Sequence, residues 1–89
     1  MSDIRMIALN EITVPIRRLR AVREESVNAL VQSMADQGQL QPIIVRGDHD
    51  GYCLVAGLHR LEAARKLNWK EIKCSVFDDM DAHKAELAS

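Results

Sequence analysis

A glycine, a histidine and an arginine stand together in the segment Gly57-Leu58-His59-Arg60, and their chemistry converges on an anion. A guanidinium forks onto two phosphate oxygens, and an imidazole can donate or accept a proton near neutral pH. The residues before, Tyr52 to Ala56, read as a strand; those after, Leu58 to Leu67, read as a helix with Leu58, Leu61, Ala64 and Leu67 on one face. Glycine lets the backbone turn at that junction. The first turn of the helix then presents amide N–H groups without intrahelical partners, which suit a phosphate. The same four residues also suit a tight strand-to-helix turn with a solvated arginine, because motifs this short recur by chance. The residues alone leave both readings open.

The elements that must position this junction follow from hydrophobic spacing. Met6 to Val14 reads as an opening strand with a slip near Asn10, ended by Pro15. Ile16 to Arg23 is an arginine-rich connector. Val27, Leu30, Val31 and Met34 form one apolar stripe of a helix over Glu24 to Gln37. Glu24 and Glu25 lie in its first turn, where carboxylates suit the helix dipole, and Gly38 follows its last turn as a left-handed cap. Gln41 to Arg46 and Tyr52 to Ala56 form a hairpin around the turn-rich Gly47-Asp48-His49-Asp50-Gly51. Asn68 ends the second helix, Glu71 to Phe77 is a further strand, and Asp78 to Ser89 resembles the start of a third helix capped by Asp78 or Asp79. The predicted class is α+β, a small mixed sheet with packed helices in the order β-α-β-β-α-β-α. Residues 1–89 are expected to be one domain whose last segment, 79–89, begins a helix that continues into an absent region.

Composition narrows the function. The chain has 89 residues, enough for one small domain, and its core must come from Leu, Ile, Val, Met and Ala, since Trp, Tyr and Phe occur once each. A net charge of −1 gives no bulk case for nucleic-acid binding. The charge is unevenly spread: Arg5, Arg17, Arg18, Arg20 and Arg23 crowd the first 23 residues, while Glu71, Asp78, Asp79, Asp81 and Glu86 crowd the last 19. That asymmetry favours a local anionic ligand. Cys53 and Cys74 lack metal-ligand spacing and sit in apolar runs, so no metal site is expected and both read as small hydrophobes. No membrane span or leader is visible, which makes the cytoplasm the default location. His49 and His83 read as turn and solvated helix residues, Trp69 as a core anchor, and Arg65 and Lys66 as complements to a helix C-terminus.

Two longer motifs carry a resemblance. Gly38-Gln39-Leu40-Gln41-Pro42-Ile43-Ile44-Val45-Arg46 and Gly51-Tyr52-Cys53-Leu54-Val55-Ala56-Gly57-Leu58-His59-Arg60-Leu61-Glu62-Ala63-Ala64 resemble the paired segments of the ParB N-terminal domain family, whose fold is shared with sulfiredoxins. The likeness runs over about residues 7–86. It implies a CTP-binding switch, with Mg2+ as a possible companion, in a chromosome or plasmid partition protein. Slow CTP hydrolysis is a further possibility in that setting. The nucleotide and phosphate residues implied are Gly38, Gln41, Pro42, Gly57, Leu58, His59 and Arg60. Arg18, Arg20 and Arg23 precede the first helix where partition proteins carry arginines near nucleotide or DNA; they equally suit a solvated face. Ser33 matches a serine of the family or is a simple helix residue. The resemblance also implies a homodimer that closes around DNA, read by a separate helix-turn-helix domain.

The departures point to relatives of the same fold. Partition proteins carry Gly-Glu-Arg-Arg where Gly57-Leu58-His59-Arg60 stands, and their Glu-Asn-x-x-Arg segment would fall at or beyond Ser89. Sulfiredoxins carry a catalytic Cys at the position of Leu58, so no thiolate is available there. Free-serine kinases carry Gly-x-His-Arg with a catalytic Glu before the first helix; Glu24, Glu25 and His59 are the residues that could serve such chemistry. A nuclease would need metal-binding carboxylates, for which Asp78, Asp79 and Asp81 are the cluster available; an acidic helix start explains them equally well.

Overall fold

A computed structural model describes residues 3–48 and 51–78. The chain runs β1 (Asp3–Ala8), a 3-10 turn (Leu9–Glu11), β2 (Ile12–Thr13), α1 (Ile16–Leu19), α2 (Glu24–Gln37), β3 (Ile43–Asp48), β4 (Gly51–Ala56), α3 (Leu58–Lys66) and β5 (Glu71–Asp78). The five strands make one mixed sheet in the order β1-β5-β3-β4-β2. β1 is antiparallel to β5, β3 parallel to β5, β3 antiparallel to β4, and β2 parallel to β4. The α+β class and mixed sheet follow the expectation. Helix α2 carries the chain over β4 to reach β3, and α3 carries it over β3 to reach β5.

Burial follows the period of each element. In β5, Ile72, Cys74 and Val76 alternate into the core; in β3, Ile43 and Val45 do the same. Helix α2 contributes Val27 and Met34, with Leu30 and Val31 packed beside them, as the stripe predicts. Helix α3 buries Leu61, Ala63 and Ala64. Ile43, Leu61, Ile72, Val27 and Val45 are the largest fully buried aliphatic side chains, each stabilising the fold by about 1.5–3 kcal/mol. Trp69 packs against this core, as its position between helix and strand suggested.

Several boundaries differ from the sequence reading. The opening strand is two strands: the slip near Asn10 is a 3-10 turn that sends the chain from β1 at one edge to β2 at the other. Four interstrand gaps would span about 19 Å in a flat sheet, yet Ala8 and Ile12 are only four residue steps apart, at most about 15 Å. The sheet therefore curls until its edges approach. The arginine-rich connector holds the helical turn α1. The hairpin strands reach further than composition implied, since Gly47 pairs with Tyr52 and Asp48 with Gly51. Gly38 caps α2 with the positive φ expected of a glycine there, 73°, and its N–H bonds the Met34 carbonyl at 2.9 Å, but its ψ of −169° lies outside the left-handed helical basin. Asn68 follows the end of α3, as expected, with a φ of 59°. Strand β5 continues through Asp78; the expected terminal helix, residues 79–89, lies outside the described residues, as do His49 and His83.

Candidate anion-binding site

The junction between β4 and α3 is built around a close approach. Gly57 sits at φ 102°, ψ 29°, where L side chains are strained. A Cβ there would lie 2.6 Å from Cγ2 and 2.9 Å from Cβ of Ile43. The turn therefore passes directly over the first residue of β3, and no other residue type fits without displacement. The first intrahelical bond runs from the Leu61 N–H to the Gly57 carbonyl at 3.0 Å. Gly57 supplies no side-chain cap, and the preceding amides of the first turn lack intrahelical acceptors, the condition that suits an anion.

These residues line an open cleft of about 470 Å³. One wall is Gly57, Leu58, His59 and Arg60; the other is Ser26, Ala29 and Leu30 of α2. Leu58 also packs against the core. The half-buried His59 accepts a hydrogen bond at Nε2 from the Arg23 backbone N–H, 3.1 Å away. Arg60 donates from Nη2 to Gln41 Oε1 at 3.2 Å. That contact joins the two sequence motifs across 19 residues.

The loop that carries Gln41 is fastened by a residue the sequence reading passed over. The Gln39 side-chain amide donates to the carbonyls of Gln41 (2.9 Å) and Lys73 (2.8 Å), and its Oε1 accepts from the Lys73 N–H at 2.7 Å. The amide pairs with β5 as one more strand residue would, just ahead of the first β3 partner pair, Ile43 with Cys74. Pro42 is half-buried beside it. The Gly38–Pro42 and Gly57–Arg60 segments are thus joined through the bond between Gln41 and Arg60.

Other expected residues are dispersed. Arg18 donates to the Val55 carbonyl, with a longer contact to the Leu54 carbonyl at 3.4 Å, on the part of β4 beyond the two residues that β2 pairs. Arg20 and the Arg23 side chain are exposed. Ser33 is half-buried on α2, and the cleft is lined by Ser26, Ala29 and Leu30 instead. Glu24 is ion-paired with Lys66 at 2.6 Å, and Lys66 also donates to Asn28 at 3.2 Å; Glu25 is exposed, and neither carboxylate lines the cleft. Arg65 pairs with Glu62 at 3.5 Å. Both cysteines are free thiols. Burial pushes the Cys74 thiol up to about 11, and it donates to the Ile72 carbonyl. Among the described residues no group of three His, Cys, Asp or Glu side chains could hold a metal ion, and no helix is long and apolar enough to cross a membrane.

With this geometry in place, the chain matches the ParB N-terminal domain family over residues 1–89. The chain belongs to that family. It is 42% identical over 65 residues to the chromosome-partitioning protein ParB of Myxococcus xanthus, covering 73% of this chain and 22% of that protein. The chain thus spans under a quarter of that relative's length. Among solved structures it superposes on ParB of Caulobacter crescentus complexed with CTP-gamma-S, with a TM-score of 0.72, 32% identity, and coverage of 89% of this chain and 47% of that one. It also superposes on sulfiredoxin from Arabidopsis thaliana, with a TM-score of 0.80, 28% identity, and coverage of 96% and 97%. The ParB N-terminal fold of this chain is therefore the sulfiredoxin-like one that its two motifs suggested.

Proposed function

We propose that this ParB N-terminal domain is the nucleotide-binding switch of a DNA partition protein, with the phosphates of CTP held on the first turn of α3. The observation that carries the reading is the cleft itself: Gly57 to Arg60 form one wall, combining a helix start whose first-turn amides lack intrahelical acceptors with the Arg60 side chain. The Caulobacter relative complexed with CTP-gamma-S supports cytidine as the base to test first. Arg60 is the charged ligand, pre-aimed by Gln41, and swaps that neutral partner for phosphate oxygens. Glu24 and Glu25 stand off the cleft, which disfavours a carboxylate base of the kinase kind. Leu58 cannot form the thiolate that sulfiredoxin chemistry needs. Mg2+ would be held chiefly by the nucleotide phosphates, because the described residues offer no carboxylate cluster. Dimer closure, DNA contact and a chromosomal or plasmid role belong to the longer partition protein that this reading implies.

Calorimetric titration with CTP, ATP and ADP in the presence of Mg2+ tests the reading. Selective CTP binding is expected, weakened about 10- to 100-fold by Arg60→Ala, the loss typical of a charged hydrogen-bond donor. Adenine preference would turn the reading toward a kinase, and absence of binding by all three would refute it.

A further inference from the structure

The bond from the Arg23 N–H to His59 Nε2 joins two parts of the molecule that the nucleotide reading treats separately. Arg23 is the N-cap residue of α2 and offers no side-chain cap of its own. Its amide is one of the four at a helix start that lack intrahelical acceptors. His59 supplies the acceptor from α3, 36 residues away. An imidazole nitrogen that accepts carries no proton, so the neutral ring holds its proton on Nδ1. His59 also lines the cleft, and Nδ1–H is the donor such a ring has to offer an anion. The segment ending at Arg23 carries Arg17, Arg18 and Arg20; Val22 packs it against the core, and the Arg18 side chain bonds the end of β4. Both of these long-range hydrogen bonds, from Arg18 and from the Arg23 amide, end within the stretch from Leu54 to His59 that forms the β4–α3 junction.

We propose that His59 is a positioning residue that fastens the start of α2, and with it the arginine-bearing segment, to the anion-binding turn. This rests on the nucleotide reading for its consequence, though the fastening itself does not depend on a ligand. An anion accepting from Nδ1–H polarises the ring and strengthens the Nε2 bond to Arg23, so that a filled cleft holds the segment more firmly than an empty one. The histidine then does more than join Arg60 and the amides as a ligand: it carries the contact through its ring to the start of α2.

The test uses the 89-residue chain, with backbone amide hydrogen exchange by NMR alongside titration with CTP and inorganic tripolyphosphate. In His59→Ala, the Arg23 amide should exchange faster without ligand, and both probes should bind about three- to tenfold more weakly, the scale of one hydrogen bond. His59→Gln, whose amide oxygen can take the place of Nε2, should restore both. Arg60→Ala should weaken binding yet leave Arg23 protected. Unchanged exchange at Arg23 in His59→Ala would overturn the proposal, even if binding falls, since His59 would then be a ligand alone. If the wild type binds neither probe, the nucleotide reading fails, and the exchange result in His59→Ala still decides the fastening. Far-UV circular dichroism of each variant separates these outcomes from failure to fold.

Discussion

Replacing Gly57 with alanine tests the junction on which the site depends. Two costs add. At φ 102°, ψ 29° an L residue is strained by about 1–2 kcal/mol. The new Cβ would stand 2.6 Å and 2.9 Å from two side-chain carbons of Ile43, which is fully buried and cannot swing aside; overpacking of this kind costs about 1–3 kcal/mol. The sum is about 2–5 kcal/mol, a large share of the roughly 4–13 kcal/mol expected for a chain this long. The midpoint of thermal unfolding should fall by about 10–30 °C. Urea unfolding followed by circular dichroism gives the free energy. Gly57→Asn divides the two terms, because asparagine tolerates left-handed backbone but keeps a Cβ. If the contact with Ile43 matters, asparagine recovers no more than about 1 kcal/mol of the loss. A cost below about 1 kcal/mol for Gly57→Ala, or an asparagine variant as stable as the wild type, would refute the close-approach argument.

Gln39→Ala should destabilise by about 2–3 kcal/mol in urea titration, because it removes three hydrogen bonds and strips partners from the Lys73 N–H and carbonyl. It should also weaken CTP binding by releasing the loop that carries Gln41. Iodoacetamide at pH 8 should modify the half-buried Cys53 and spare Cys74, read by mass spectrometry of the native protein. Because the Cys74 thiol is raised from 9.0 to about 11, its protonated form is favoured in the folded state. The stability it contributes is complete below pH 9 and is lost as pH rises toward 11. Cys74→Ala should reduce the alkaline slope of a pH-stability profile. Lys66→Ala should cost less than about 1 kcal/mol, since its pair with the largely exposed Glu24 is solvent-screened.

The sequence made the site's centre readable because it is local. Gly57 to Arg60 are consecutive, and glycine before a helical stripe announces its own backbone need. Helix α2 was equally plain, since four apolar residues at helical spacing have no other use. The residues that were missed act across long separations. Gln39 is a polar loop residue with nothing in its neighbourhood to reveal that Lys73 is its partner. Ser26 and Ala29 have no chemical signature, and only the placement of α3 against α2 makes them a cleft wall. Arg18 looked available to a ligand because nothing local shows that β2 stops after two residues and leaves the β4 carbonyls to be met. Glu24 illustrates the opposite case: a carboxylate at a helix start was read both as a base and as a dipole complement, and the structure adds Lys66 as its ion-pair partner.

The pairing of β1 with β5 has a kinetic consequence. Asp3 lies opposite Val76 and Ala8 opposite Glu71, so during synthesis β1 waits for β5, the last described strand, before it finds its neighbour. Ile4 and Met6 stay without a strand partner through that interval, while the β3–β4 hairpin and α3 can form locally. Closing a loop of more than sixty residues must precede the reward, which places folding on the slow side for a domain of this size. Refolding should therefore show β1 docking late, on a preassembled β3-β4-α3 unit. A nascent chain cut before Glu71 should hold an unpaired, apolar strand of the kind that chaperones recognise.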